Sequence, residues 1–176
     1  AIGHTRYSTA GGGAAVNTQP FLVRYREGTL SIAHNGNLTN AGALRRQLVD
    51  AGSLLQSTAD TEALIHLIAR STKPTPEEQI REAVMKAEGA YSLLVTVGRV
   101  LYAVVDPRAF RPLMLGRVGD ATVVGSESCA LDIVGARVVC ELQPGSYVRI
   151  DRGEVTYLDP LPPQPLKCCV FELVYF

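Results

Sequence analysis

Apolar residues change their spacing at Gly89, and that change limits the folds open to this chain. Between residues 40 and 88 they recur at helical intervals; from Tyr91 on they alternate in short runs. Helices gathered in one stretch, then many short strands joined through tight turns, argue for antiparallel sheets with helices packed on them. A doubly wound parallel sheet would instead need strands and helices in alternation. The spacing therefore predicts an α+β fold.

Residues 20–34 predict a hairpin, with Phe21-Leu22-Val23 and Thr29–Ala33 flanking the turn pair Glu27-Gly28. A helix is expected over 40–51, with Leu44 and Leu48 four apart and Gly52 past its end. A second is expected over 58–70, capped by Ser57 or Thr58 and buried through Leu64, Ile65, Leu67 and Ile68. A third should fill 76–88: Thr75 caps it, Pro76 takes the first turn, Glu78 completes a capping box and Gly89 ends it. Strands are expected at 91–97, 101–105, 113–116, 122–125, 138–142, 147–150 and 155–158, with one helical turn at 129–134. Gly98-Arg99, Gly119-Asp120 and Arg152-Gly153 read as hairpin turns. The proline-rich run Asp159–Pro165 cannot pair in a sheet and reads as a linker. It divides a domain at 1–158 from a second element at 159–176.

Charge is balanced, 17 basic residues against 17 acidic, which gives no support to a nucleic-acid or membrane-surface partner. No apolar run approaches the ~18–20 residues of a membrane span, and no secretion signal is recognisable. The four cysteines, Cys129, Cys140, Cys168 and Cys169, are too few and too uneven for a disulfide scaffold, so a reducing, cytoplasmic setting is expected. None has zinc-ligand spacing. The chain opens on Ala1 without a methionine and closes on Phe176 within a strand-like run, so both ends read as cut from something longer.

Three polar clusters interrupt apolar segments. In "GHTRYSTAGGG", Arg6 lies among the hydroxyls of Thr5, Tyr7, Ser8 and Thr9, ahead of three glycines. Such an arginine suits a carboxylate, which its fork grips with two parallel hydrogen bonds; the plain alternative is a structural salt bridge. In "AHNGNL", Asn35 and Gly36 place a side-chain amide beside a backbone N–H at a strand end, two donors able to converge on one oxygen. The plain alternative is an Asn-Gly turn. In "STADTE", Asp60 sits at a helix start, either as a cap or as a carboxylate facing an ammonium group. Taken together they describe a receptor for a free α-amino acid whose side-chain carbonyl is attacked. No attacking group is recognisable by local pattern, and His66 on its apolar helix reads as a core histidine.

The runs "GHTRYSTAG", "NTQPF", "AHNGNLTN", "STADTE", "DPRAFRPL", "SESCALD" and "CVFELVYF", in that order over nearly the whole chain, resemble the glutamine domain of the amidophosphoribosyltransferases. These are class II glutamine amidotransferases of purine synthesis. The resemblance implies an N-terminal-nucleophile hydrolase fold, a four-layer αββα sandwich with antiparallel sheets. It implies hydrolysis of glutamine, with ammonia passing to a transferase domain that acts on phosphoribosyl pyrophosphate with magnesium. It gives Arg6 and Asp60 the α-carboxylate and α-amino groups of glutamine, with Thr9 nearby, and makes Asn35 and Gly36 the oxyanion hole. It implies a homo-oligomer for the full-length enzyme.

The family's nucleophile is a cysteine at the mature N-terminus, activated by its own α-amino group. Nothing here matches it, because Ala1–His4 corresponds to an internal strand of the family. The expectation is a fragment that is inactive alone and has no cofactor of its own. Some members hold a [4Fe–4S] cluster through a cysteine at the position of Cys169; the alternative there is a small buried hydrophobe. Other class II amidotransferases remain an alternative. The aminosugar-forming group differs where this chain carries Tyr7 and Gly11, which favours the purine enzyme. A non-catalytic glutamine-binding module is the other alternative.

Overall fold

The computed structural model describes residues 1–5, 15–167 and 170, and two compact units divide them. The first holds residues up to Gly89 together with Val95–Gly98. The second holds Ala90–Leu94 and the residues from Arg99 on.

In the first unit a short 3-10 turn, Ala15–Asn17, leads into β1 (Phe21–Tyr25) and β2 (Gly28–Leu38). These form the expected antiparallel hairpin, with Phe21 opposite Ile32 and Tyr25 opposite Gly28. Next come α1 (Ala41–Asp50), α2 (Asp60–Arg70) and α3 (Pro76–Val84), and then β3 (Gly89–Val97), which lies in both units and neighbours β2. The helices are held by the faces their periodicity predicts. Leu44 and Leu48 of α1 pack on Ala63 and Leu67 of α2, while Leu64 and Ile68 are at most 1% exposed. Full burial of side chains of this size contributes about 1.5–3 kcal/mol each. Past the end of α1, the N–H of Gly52 bonds Val49 and that of Ser53 bonds Leu48, a Schellman closure that uses Gly52 at φ +86°.

Three boundaries differ from expectation. β2 does not stop at Ala33 but continues through His34-Asn35-Gly36 to Leu38. Gly36 takes φ +146° inside the strand, where other residues are strained, so Asn-Gly here is not a turn. α2 starts at Asp60 after Ala59, and neither Ser57 nor Thr58 caps it. The Ser57 hydroxyl instead donates to the Glu62 carboxylate. α3 is capped by Thr75, which accepts from the Glu78 N–H, but it ends at Val84 rather than at residue 88. Asn40 pulls the following residues away: its amide donates to Lys86 O and accepts from Glu88 N–H, and Thr39 N–H bonds Glu88 O. Gly89 therefore opens β3 instead of closing the helix.

In the second unit β3, β4 (Val100–Val105), β8 (Tyr147–Asp151) and β9 (Glu154–Tyr157) are neighbours in that order. A second sheet places β5 (Met114–Val118) between β6 (Ala121–Gly125) and β7 (Arg137–Glu141), and α4 spans Ser128–Ile133. The strand pairs β4–β8, β8–β9, β5–β6 and β5–β7 are all antiparallel. Ala103, Val105, Leu113, Leu115, Leu142, Val148 and Ile150 form the core of this unit. Asp106, fully buried, closes the loop of the "DPRAFRPL" run by accepting from the N–H groups of Arg108, Phe110 and Tyr91. Burial nevertheless pushes its carboxyl above the usual range. Leu161 of the proline-rich run is buried, and its N–H bonds Gly145 O.

Candidate functional site

Asn35 and Gly36 are consecutive in β2 and half-buried, flanked by buried His34 and Leu38. Asp60 is the first residue of α2, where the unpaired N–H groups of the helix favour an anion. One Asp60 carboxylate oxygen accepts from Leu38 N–H at 2.8 Å, and the other lies 3.5 Å from His34 Nδ1. Asp60 thus touches both residues that bracket the Asn35–Asn37 stretch. Two clusters that are 24 residues apart in sequence are one place in the fold.

Burial alone would push the Asp60 carboxyl up. The hydrogen bond and facing ring of His34 and the N–H groups of Leu38 and Thr61 outweigh it, and hold the carboxyl below its usual range. Asp60 is therefore ionised at neutral pH. Thr61 N–H at 2.9 Å, Thr61 Oγ1 at 3.4 Å and His34 Nδ1 at 3.5 Å all meet Oδ1, so the place for a further donor such as an ammonium group is on Oδ2, beside Leu38 N–H.

The turn ahead of Asp60 is fixed largely by Glu62, Arg45 and Asn17, to which the sequence analysis assigned no role. Glu62 accepts from Gln56 N–H at 2.6 Å, Ser57 N–H at 2.9 Å and Ser57 Oγ at 2.8 Å. Arg45 of α1 reaches the same carboxylate at 3.4 Å and also donates to the carbonyls of Ala59 and Ser57. Burial raises the Glu62 carboxyl, but these donors together bring it below the usual range. On another side, Asn17 donates to Thr58 Oγ1 at 2.9 Å and accepts from Thr58 N–H at 3.0 Å. Only the polar run "STADTE" hinted at such a network; nothing local flagged Arg45 or Asn17.

Arg6, Thr9 and Cys169 lie outside the described residues. His66 is half-buried on α2. Cys129 and Cys140 are free thiols. Among the described residues no group of three or more His, Cys, Asp or Glu is placed to hold a metal ion. No helix among them is long and apolar enough to cross a membrane.

The chain as a whole is similar to known proteins. An amidophosphoribosyltransferase of Rhizobium etli is 43% identical over 99% of this chain and 36% of its own length. One of Bacillus subtilis is 47% identical over 86% of this chain and 32% of its own. A solved structure of the glutamine phosphoribosylpyrophosphate amidotransferase of B. subtilis, complexed with ADP and GMP, superposes with a TM-score of 0.91 at 38% identity. That match covers 98% of this chain and 37% of the solved one, and bears out the N-terminal-nucleophile hydrolase fold. The chain spans about a third of the length of the curated relatives it matches. Residues 4–132 match the model of the glutamine amidotransferase domain, and the chain belongs to that family.

Proposed function

We propose that this chain is the glutamine-hydrolysing part of an amidophosphoribosyltransferase. Asp60 binds the α-ammonium group of glutamine, and Arg6, with Thr9 nearby, binds its α-carboxylate. A thiolate attacks the side-chain amide carbon, and the carbonyl oxygen becomes an oxyanion. The Asn35 amide and the Gly36 N–H stabilise that charge. The nucleophile's own α-amino group, which took the thiol proton, returns it to the amide nitrogen, so collapse of the tetrahedral intermediate expels ammonia and leaves a thioester, which water opens to glutamate and the free thiol. No residue from 1 to 176 is assigned as the nucleophile; in this reading it is the cysteine, activated by its own α-amino group, that the family carries at its mature N-terminus. A proline-rich linker from residue 159 leads, near Leu166, into the transferase portion, which uses the ammonia on phosphoribosyl pyrophosphate with magnesium, in a cytoplasmic setting.

The observation that supports this reading is the contact of Asp60 with both His34 and Leu38, which brings its carboxylate against the two residues that flank the Asn35–Asn37 stretch. The test is the gene product that carries this chain, supplied with glutamine and phosphoribosyl pyrophosphate. Glutamate and pyrophosphate released together support the reading. Glutamine binding without glutamate release would make the chain a binding module and overturn it.

A further inference from the structure

The run "NTQP" takes no part in the chemistry above, yet it joins the elements that carry it. Phe21 pairs with Ile32, so counting on in register brings Gln19 beside His34. Pro20 has no N–H to continue the ladder. The Gln19 side chain takes over: its Oε1 accepts from His34 N–H at 2.7 Å, and its Nε2 donates to Thr61 Oγ1 at 3.2 Å. A backbone N–H can only donate, so the atom facing His34 must be the amide oxygen and the NH2 must face Thr61. The Thr61 hydroxyl, fully buried, lies 3.1 Å from His34 Nδ1 and 3.4 Å from Asp60 Oδ1. Gln19 thereby contacts the residue before Asn35 and the residue after Asp60.

We propose that Gln19 is a positioning residue for the glutamine site: its amide ties the strand bearing Asn35 and Gly36 to the helix turn bearing Asp60, and so sets the gap between oxyanion donors and ammonium receptor. The proposal rests on the glutamine reading above. A receptor and a donor pair hold one small substrate only if their spacing is fixed. A misplacement near 1 Å costs about 100-fold in rate.

The test compares Gln19→Met and Gln19→Glu in the gene product that carries this chain, reading glutamate release and thermal unfolding. Methionine keeps the length and loses both hydrogen bonds. Glutamate keeps an acceptor for His34 N–H and loses the donor to Thr61. Both variants cut the link to Thr61, so both should lower kcat/KM for glutamine, Gln19→Met about 10-fold to 100-fold. Two results would overturn the proposal: Gln19→Met with wild-type kcat and KM but a lowered melting temperature, or Gln19→Glu with wild-type kcat/KM. Absence of glutamate release from the wild-type protein would refute the glutamine reading itself, before any variant is compared.

Discussion

Replacing Glu62 by alanine should loosen the turn that delivers Asp60. Four donors meet this carboxylate, from Gln56 N–H, Ser57 N–H, Ser57 Oγ and Arg45. They do not lose equally. Gln56 is exposed and can be rehydrated. Arg45 keeps the carbonyls of Ala59 and Ser57. Ser57 is buried, and its N–H would be stranded. A stranded buried donor costs about 1–3 kcal/mol, and losing a hydrogen bond to a charged group costs about 1.5–3 more. The expected loss is therefore at least about 2.5 kcal/mol. Denaturant unfolding of wild-type and variant side by side reads it, and hydrogen exchange at Ser57 N–H should quicken in the same samples. Because the Glu62 carboxyl is held below its usual range in the fold, its contribution is present at neutral pH. That contribution fades as pH falls from the ordinary carboxylate range through the depressed value. Glu62→Gln should flatten that acid limb. A Glu62→Ala variant within about 0.5 kcal/mol of wild type, with unchanged exchange at Ser57, would mean that Glu62 does not hold this turn.

Two further outcomes follow from the same geometry. Asp60→Asn keeps an acceptor for Leu38 N–H but removes the counter-charge, so KM for glutamine should rise at least about 10-fold. The wild-type KM should stay flat near neutrality and rise only as pH falls through the depressed Asp60 value, a rise the Asn variant should lack; KM measured against pH reads both. Gly89→Ala should destabilise by at least about 2 kcal/mol in a melting experiment. Gly89 sits at φ +127°, and an added Cβ would run into Asn37 O and approach Thr39 N to 2.8 Å.

What the sequence showed depended on how far apart the partners lie. α2 was legible because its apolar periodicity is strong, and the strands after Gly89 because glycine turns mark them. The end of α3 was not, since Asn40, 46 residues away from Lys86, decides where the chain leaves the helix. The Asn-Gly pair favoured a turn locally, but Gly36 lets β2 pass through a backbone geometry that other residues resist. The residue types at Asn35, Gly36 and Asp60 suggested the chemistry proposed for them, because an amide beside a glycine N–H and a helix-start carboxylate are local features. The supports were hidden. Gln19 reaches across 42 residues to Thr61 and Asn17 across 41 to Thr58, and no pattern within a single segment records such contacts.

Whether Asn35 stabilises charge on the reacting oxygen is decided by steady-state kinetics of Asn35→Ala with glutamine and with ammonia as nitrogen donors. Such a donor acts only in the transition state. With that role, kcat with glutamine should fall roughly 10²–10³-fold. KM should change little, because the proposed receptors Asp60 and Arg6 are left intact and would still hold the ground state. Synthesis from ammonia should persist, since it bypasses the tetrahedral intermediate. A variant with normal kcat on glutamine and a lowered melting temperature would contradict the account and leave Asn35 a structural residue of β2.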